Sequence, residues 1–365
     1  HLRIAALTAH SGSRSLCIPD CTMVLSSPNA ASFKFVPCAH SWVALHPQPK
    51  GVIQFIGSGF WGTVPTLTYR HFLKSLFEAG YTIVAIPFRF ACRHWSVALD
   101  LLDEHYAVRV ATIEAAIAQG YDPTVYLNPV NYGWIGHGVG CRYVALLEIL
   151  SSPMEVLATY FQQLGPNLDE KHQQFQHIRQ GLSALGESLR QMETRLQRLT
   201  GETMDYGQPS IKHEASLLIA PVMTDLVDAI PIKSLRQLVN QLIGVYPTVE
   251  QTHELIEHSP QFHLTGLIQF ASDRIAADTC QRLMQEQPHI RRRLLKGSHL
   301  EPVGIRIGQC IIDFNPLDKL IQPLSCRDLE YKSTTLLNRL RTSSPLSPCQ
   351  AGRRASATRR RAMAA

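Results

Sequence analysis

Several absences narrow the reading before any motif is considered. No run of about 18 uncharged apolar residues occurs in the 365, so the sequence offers no transmembrane segment. Zinc-type spacing is missing too. The nine cysteines are odd in number and scattered; only Cys17 and Cys21 lie close together, and no second cysteine or histidine pair follows them. Reduced thiols in a cytoplasmic or stromal compartment, with no metal and no cofactor, are the simplest expectation. Acid is scarce at both ends. Up to Phe77 the sole acidic residue is Asp20, and from Arg341 to Ala365 there are six arginines and no acid. That tail carries the whole net charge of +6, so the balanced body gives no reason to expect nucleic-acid binding.

The ends are expected to contribute little to the fold. Residues 1–22, rich in Ser and Thr, read as a non-native or disordered leader upstream of a start at Met23, and 326–365 as a disordered basic tail. Between them, at 45% hydrophobic content, 23–325 can bury one large core.

Apolar patterning orders that core. SFKFV (32–36) and SWVALH (41–46), divided by Pro37, read as an antiparallel pair. GVIQFIG (51–57) and YTIVAIPF (81–88) are continuous apolar runs, as buried strands are. A helix through Tyr69, Phe72, Leu73, Leu76 and Phe77 separates them and ends at Gly80, and another runs from about Ser96 to Gln119. NYGWIGHG (131–138) is a strand entering a turn, and CRYVALLEIL (141–150) the helix after it. ASLLIAPV (215–222), LTGLIQFA (264–271) and IRRRLLKG (290–297) add three buried strands. This alternation predicts an α/β fold, a mostly parallel sheet with helices on both faces, whose active site lies at the carboxyl ends of the strands.

One segment, 151–212, stands outside the alternation. Phe175, Ile178, Leu182, Leu185, Leu189, Met192, Leu196 and Leu199 keep a three-four repeat, with Leu168 one heptad earlier. Glycines at Gly181 and Gly186 and the lack of a charge code argue against a dedicated zipper. A cap or arm packed within its own chain is preferred to a seam (168–199) that holds a protein partner.

GWIGHGVG (133–140) has the spacing of the GxSxG nucleophile elbow, with Gly138 in the nucleophile position. A dinucleotide fingerprint is disfavoured, because GHGVGC ends in Cys141 and does not follow the first strand. The order downstream supports the elbow. Asp273 follows one strand and His299 the next, so acid then histidine come after the nucleophile position as in α/β-hydrolases. Asp225, after ASLLIAPV, is the second candidate for the acid. An oxyanion hole would combine the Val139 N–H with one from GSGFWG (57–62), where Ser58, Gly59 and Phe60 are the candidates. Substitute nucleophiles are poorly placed in sequence: Cys141 lies nearly a turn into the helix, His137 precedes the apex, and Ser58 belongs to the oxyanion loop.

GVIQFIGSGFWGTVPTLTYRHFL, AGYTIVAIPF, GWIGHGVGCRYVALLE, SLLIAPV, PTVEQTHELI and LLKGSHLEPVGIRIG resemble an uncharacterised family of α/β-hydrolase-like proteins of cyanobacteria and plant plastids, from about Phe33 to Leu320. The resemblance implies an α/β-hydrolase-like fold, the nucleophile position at Gly138, the acid at Asp273 and the base at His299. Its members carry serine in the elbow, as GHS, so this chain departs from them at Gly138. The implied function is that of an ester, thioester or acyl hydrolase without its nucleophile, acting on a small acyl or lipid-like ligand. The alternative is a non-catalytic binding or assembly protein that uses the pocket or the heptad arm.

Overall fold

The computed structural model describes residues 32–87, 93–164, 168–203, 205–223, 246–312, 321–323 and 327–343. Asp225, the leader 1–22 and the arginines beyond Arg341 lie outside the described residues.

Eight strands form the central sheet: β1 (Val36–Cys38), β2 (Ser41–Ala44), β3 (Gly51–Ile56), β4 (Tyr81–Ile86), β5 (Tyr132–His137), β6 (Ala215–Ile219), β7 (Thr265–Phe270) and β8 (Arg291–Leu295). Their order is β1-β2-β4-β3-β5-β6-β7-β8. The β1–β2 and β2–β4 pairings are antiparallel and every later one is parallel. After the edge pair β1–β2, the parallel part of the sheet starts in its middle at β3, adds β4 between β3 and β2, then crosses back to extend the other side from β5. Carboxyl ends of β3, β5, β6, β7 and β8 all meet on one edge, which is where such a sheet gathers its site.

Helices cover both faces. Among the described residues they are α1 (Pro65–Thr68), α2 (Arg70–Glu78), α3 (His94–Ala118), α4 (Thr124–Leu127), α5 (Gly140–Leu150), α6 (Met154–Gln163), α7 (Leu168–Thr200), α8 (Val249–His258), α9 (Ala277–Glu286) and α10 (Leu329–Ser343). α2 packs on β4, and α10 packs on β6 and β7 and touches α2. On the opposite face α5 lies across β3, β5 and β6, with α3 and α8 against it. Every residue of α5 is buried, which is why its sequence is apolar all round rather than striped. Its one acid, Glu148, accepts hydrogen bonds from Ser216 Oγ on β6 (2.6 Å) and Thr265 Oγ1 on β7 (3.3 Å).

The seam of α7 packs inward. Ile178, Leu182, Leu185, Leu189 and Leu196 are buried, and α7 lies against α3 and α6. Trp95 donates to Gln174 (3.1 Å), Leu99 packs against Gly181, and Arg195 pairs with Glu114 (2.5 Å). These contacts ascend together along both chains, so α7 runs parallel to α3. Gly181 gives Leu99 room that a side chain would take, a packing reason for one of the two glycines in the heptads.

Three expectations need correction. IRRRLLKG is not a buried strand: β8 is the sheet's last strand, paired with β7 alone, and Arg291 to Leu294 are exposed. Three consecutive arginines on an edge strand also discourage pairing with another chain. Pro37 does not divide two strands but lies within β1, where an outermost strand tolerates its missing donor. The region 326–365 is not wholly a disordered tail, since α10 buries Leu329, Leu336, Leu337 and Leu340. Residues 305–323 also hold an antiparallel sheet the periodicity did not announce: β9 (Ile305–Ile307), β10 (Cys310–Ile312) and β11 (Ile321–Pro323). No described helix is by itself long and apolar enough to cross a membrane.

Burial raises the Glu148 carboxyl to about 8, against the opposing hydrogen bonds of Ser216 and Thr265. Its folded pKa therefore lies above the unfolded one, and the stability it contributes is complete below about 4.5 and lost as pH rises through about 8. Glu148→Gln keeps the acceptor oxygen and removes this titration. Denaturant unfolding at pH 5.5 and pH 8.5 will show a pH-dependent loss in the parent, on the order of 2–3 kcal/mol, that the variant lacks.

Candidate active site

The turn after β5 is built by close approach. A Cβ on Gly136 would stand 2.8 Å from Cys141 Cα, and one on Gly140 would stand 2.6 Å from the Gly57 carbonyl. Strand, turn and helix fit only with glycine at both positions. The apex, Gly138, has φ +54° and is held by its N–H on the Ile219 carbonyl (3.0 Å) and its carbonyl on the Val222 N–H (3.0 Å). Those bonds hang the turn on the end of β6, with α5 starting two residues later.

Loops after β7 and β8 bring the downstream pair to this apex. Asp273 Oδ1 accepts from the N–H groups of Ile275 (2.9 Å) and Ala276 (3.1 Å), while Oδ2 faces His299 Nδ1 at 2.9 Å. The Asp273 side chain is fully buried and that of His299 is 13% exposed. Burial alone would raise the Asp273 carboxyl. The His299 hydrogen bond and charge, with the two backbone donors, hold it below the ordinary carboxylate value. An ionised Asp273 keeps the proton on His299 Nδ1 and leaves Nε2 as the face turned to the apex. A Cβ at position 138 would stand 3.4 Å from that Nε2.

A mostly parallel sheet with a strand-to-helix elbow after β5, set against a histidine–carboxylate pair at the ends of β7 and β8, decides the fold. The chain has an α/β-hydrolase fold. In this hydrolase-type frame the loop after β3 forms the facing wall. It is not open: Gly59–Thr63 wind into a 3₁₀ turn that Ser58 enters in an extended conformation. The Ser58 N–H donates to Tyr69 Oη (2.8 Å), which removes Ser58 from the candidate oxyanion donors. Phe60 is 72% exposed. Among the described residues, the N–H groups of Val139, Gly59 and Phe60 have no acceptor, so these three of the four candidates keep a donor to offer.

Two side chains to which the sequence assigns no part in the site, Tyr69 and His137, organise the edge. Tyr69, in the TYR segment on the Cα trace between α1 and α2, is fully buried, as is His137 at the end of β5. His137 Nε2 donates to the His299 carbonyl (2.9 Å), since a carbonyl can only accept. Burial, then the neighbouring His299, lowers the His137 imidazole to about 3, so at neutral pH its Nδ1 is an acceptor. Tyr69 Oη therefore donates to Nδ1 (2.8 Å) while accepting from Ser58. The chain Ser58 N–H, Tyr69 O–H, His137, His299 carbonyl runs in one direction and ties three loops together.

Beside this edge, a cavity of about 300 Å³ is lined by Ile56, Ile86, Val97, Leu101 and Tyr143 on its apolar side, with Asp100 among its polar walls. Ile56 stands two residues before Ser58. No group of residues able to hold a metal ion occurs among the described residues.

The profile of a family described as "Protein of unknown function (DUF1350)" matches residues 35–156, about a third of the chain, from β1 through the elbow and α5. No curated protein matches. Among solved structures, an esterase B from Lactobacillus rhamnosis, inhibited by a tributyrin phosphonate, is similar at 10% identity and a TM-score of 0.43, covering 82% of this chain and 78% of that one. A thermophilic esterase of Thermogutta terrifontis is similar at 14% identity and a TM-score of 0.42, over 84% and 92%. A carboxylesterase of Lactobacillus plantarum is similar at 13% identity and 0.41, over 84% and 94%. The fold assignment rests on the strand order and the elbow rather than on likenesses this distant.

Replacing Tyr69 by Phe removes the middle of the hydrogen-bond chain and strands His137 Nδ1 and the Ser58 N–H without partners. Denaturant unfolding will register a loss of about 1–3 kcal/mol, beyond the near-neutral change expected of a Tyr→Phe exchange at an exposed position.

Proposed function

We propose that the protein hydrolyses a small or lipid-like acyl substrate, an ester or thioester, through the Asp273–His299 pair at the edge of its α/β-hydrolase sheet. The observation that carries this reading is the buried, ionised Asp273 bonded to His299 Nδ1, with the opposite imidazole nitrogen directed at the elbow apex. A structural histidine has no need of a buried carboxylate on one nitrogen and an unpaired second nitrogen facing a strained turn. In this reading His299 is the general base and then the general acid, and Asp273 fixes its tautomer and stabilises the imidazolium. The N–H groups of Val139 and Gly59 are the oxyanion donors, Val139 at the start of α5 where the helix dipole adds to its effect. The apolar side of the cavity beside β3 and β4 would take the acyl chain, with His40, Asp100, Asp103 and Glu104 on its polar side.

The departure at Gly138 favours a second reading, in which the frame has become a binding protein. Gly138 then marks the loss of an ancestral serine, and the pocket serves to hold a ligand; the reading in which the arm at 168–199 engages a partner is less favoured, because its seam is occupied within the chain. The domain division that goes with both readings is a hydrolase-like domain with the helical insertion 151–212 following the elbow helix. The cyanobacterial or plastid setting implied by the sequence resemblance, cytoplasmic or stromal, belongs to the proposal as well.

Turnover of p-nitrophenyl acetate and butyrate separates the two. His299→Ala will lower kcat/KM roughly 10²–10⁴-fold, and Asp273→Asn, which keeps the loop's backbone bonds through Oδ1, will lower it by a comparable factor through the wrong imidazole tautomer. An inert parent chain that still binds butyrate would favour the binding reading; turnover unaffected by His299→Ala would dismiss the hydrolase.

A further inference from the structure

The apex of the elbow is not vacant. A Cβ placed on Gly138 would overlap Ser58 Oγ and stand 2.7 Å from Ser58 Cβ, and His299 Nε2 lies 3.4 Å from the same point. The hydroxyl missing from position 138 is thus supplied, in space, by a serine 80 positions earlier, from the loop after the neighbouring strand. β3 pairs directly with β5, with Ile56 opposite Gly136, so the two loops leave the sheet side by side.

The surroundings of Ser58 match the demands on a nucleophile. It sits between Gly57 and Gly59 in a sharp strand-to-helix turn, with Gly59 at φ +31°. Its backbone is clamped by Tyr69 through the N–H and by the Gly62 N–H on its carbonyl (2.7 Å). Among the described residues, neither Ser58 Oγ nor His299 Nε2 has a hydrogen-bond partner. A hydroxyl placed for structure alone would ordinarily be bonded to a backbone group; here two unpaired polar atoms of half-buried residues converge on one point. Catalytic contacts of this kind commonly lengthen in the absence of substrate and tighten with it.

We infer that Ser58 is the nucleophile of this protein, moved from the elbow to the loop after β3, and that Gly138 is the compensating change that makes room for it. The inference rests on the hydrolase reading above and specifies its missing group. Ser58 Oγ attacks the acyl carbon while its proton passes to His299 Nε2. The bond from acyl carbon to the leaving alkoxide or thiolate breaks, and that group departs with the proton from His299. A water molecule then gives its proton to His299 and attacks the acyl-Ser58 ester; the carboxylic acid leaves and the proton returns to Ser58. No oxidant, reductant or metal enters the balance.

Because a side chain at 138 and the hydroxyl at 58 claim the same space, the two positions should behave reciprocally. The full chain is treated with a fluorophosphonate and the adduct located by peptide mass spectrometry, alongside p-nitrophenyl butyrate turnover. The expected result is an adduct on Ser58 and, in Ser58→Ala, loss of the adduct and of about 10²-fold or more in turnover at an unchanged unfolding midpoint. Gly138→Ser alone will not raise turnover, since it collides with Ser58, whereas the exchange Ser58→Gly with Gly138→Ser will restore labelling, now on residue 138. Should Ser58→Ala fold poorly, Ser58→Cys supplies the same test. Its thiol will react with iodoacetamide at least about ten times faster than in Ser58→Cys with His299→Ala, because the base generates the thiolate.

Failure separates the two levels of the argument. Turnover that needs His299 but survives Ser58→Ala, or an adduct on any other residue, overturns Ser58 and leaves the hydrolase. A parent chain that is inert and unlabelled, paired with an active exchange variant, overturns Ser58 and keeps a dormant hydrolase frame. An inert parent and an inert exchange variant overturn both.

Discussion

The relative placement of the loops around the candidate site depends on one buried hydrogen-bond chain of fixed direction. The Ser58 N–H donates to Tyr69, Tyr69 donates to His137, and His137 donates to the carbonyl of His299. Each link forces the next. The last acceptor is a carbonyl, so His137 must carry its proton on Nε2, and burial keeps its Nδ1 free to accept. Reversing any member would leave a polar group unpaired in a site that excludes water, at a cost of about 1–3 kcal/mol each. The chain is therefore a mechanical frame as much as an electrostatic one. It sets the distance between the loop after β3, the elbow after β5 and the loop after β8.

A second constraint is the sheet itself. Starting at β3 and building outward in both directions places the loops after β3 and β5 next to each other, with those after β7 and β8 reaching across. Glycine at 136 and 140 lets α5 leave the strand without delay, and the Gly138 backbone is fastened to β6 and its exit by two hydrogen bonds. With the backbone of the apex held from below, the occupant of the space above it is decided by whichever neighbouring loop brings a side chain there. That occupant is Ser58, so the frame can dispense with a side chain on the elbow while keeping a hydroxyl before the histidine.

Much of the scaffold was legible in the sequence because burial writes itself into runs and periods. GVIQFI and YTIVAI read as strands covered on both faces and are so. The heptads of 168–199 read as one long helix, and α7 spans Leu168–Thr200. The errors have physical causes. The arginine run of β8 is masked by the apolar residues after it, and the strand order reveals that no described strand pairs beyond it. α10 reads as tail because its leucines are diluted by polar residues on the solvent side, a pattern that becomes meaningful once β6 and β7 are there to receive them. The short strands β9 to β11 hold too few residues for alternation to stand out.

The site divides in the same way. Order along the chain was enough to nominate Gly138, Asp273 and His299, because elbow spacing and the succession of acid and histidine are properties of a linear string. The candidate backbone donors Val139, Ser58, Gly59 and Phe60 came from the same spacing. The part played by Ser58, Tyr69 and His137 could not be read there. Ser58 is 80 positions from Gly138, Tyr69 is 68 from His137 and His137 is 162 from His299, so no local pattern links them. Sequence by itself nominated Gly138, Asp273 and His299 and marked most of the buried segments. Tertiary structure alone decided which of them share a point in space, since that depends on strand order, and strand order brings together loops that the chain keeps far apart.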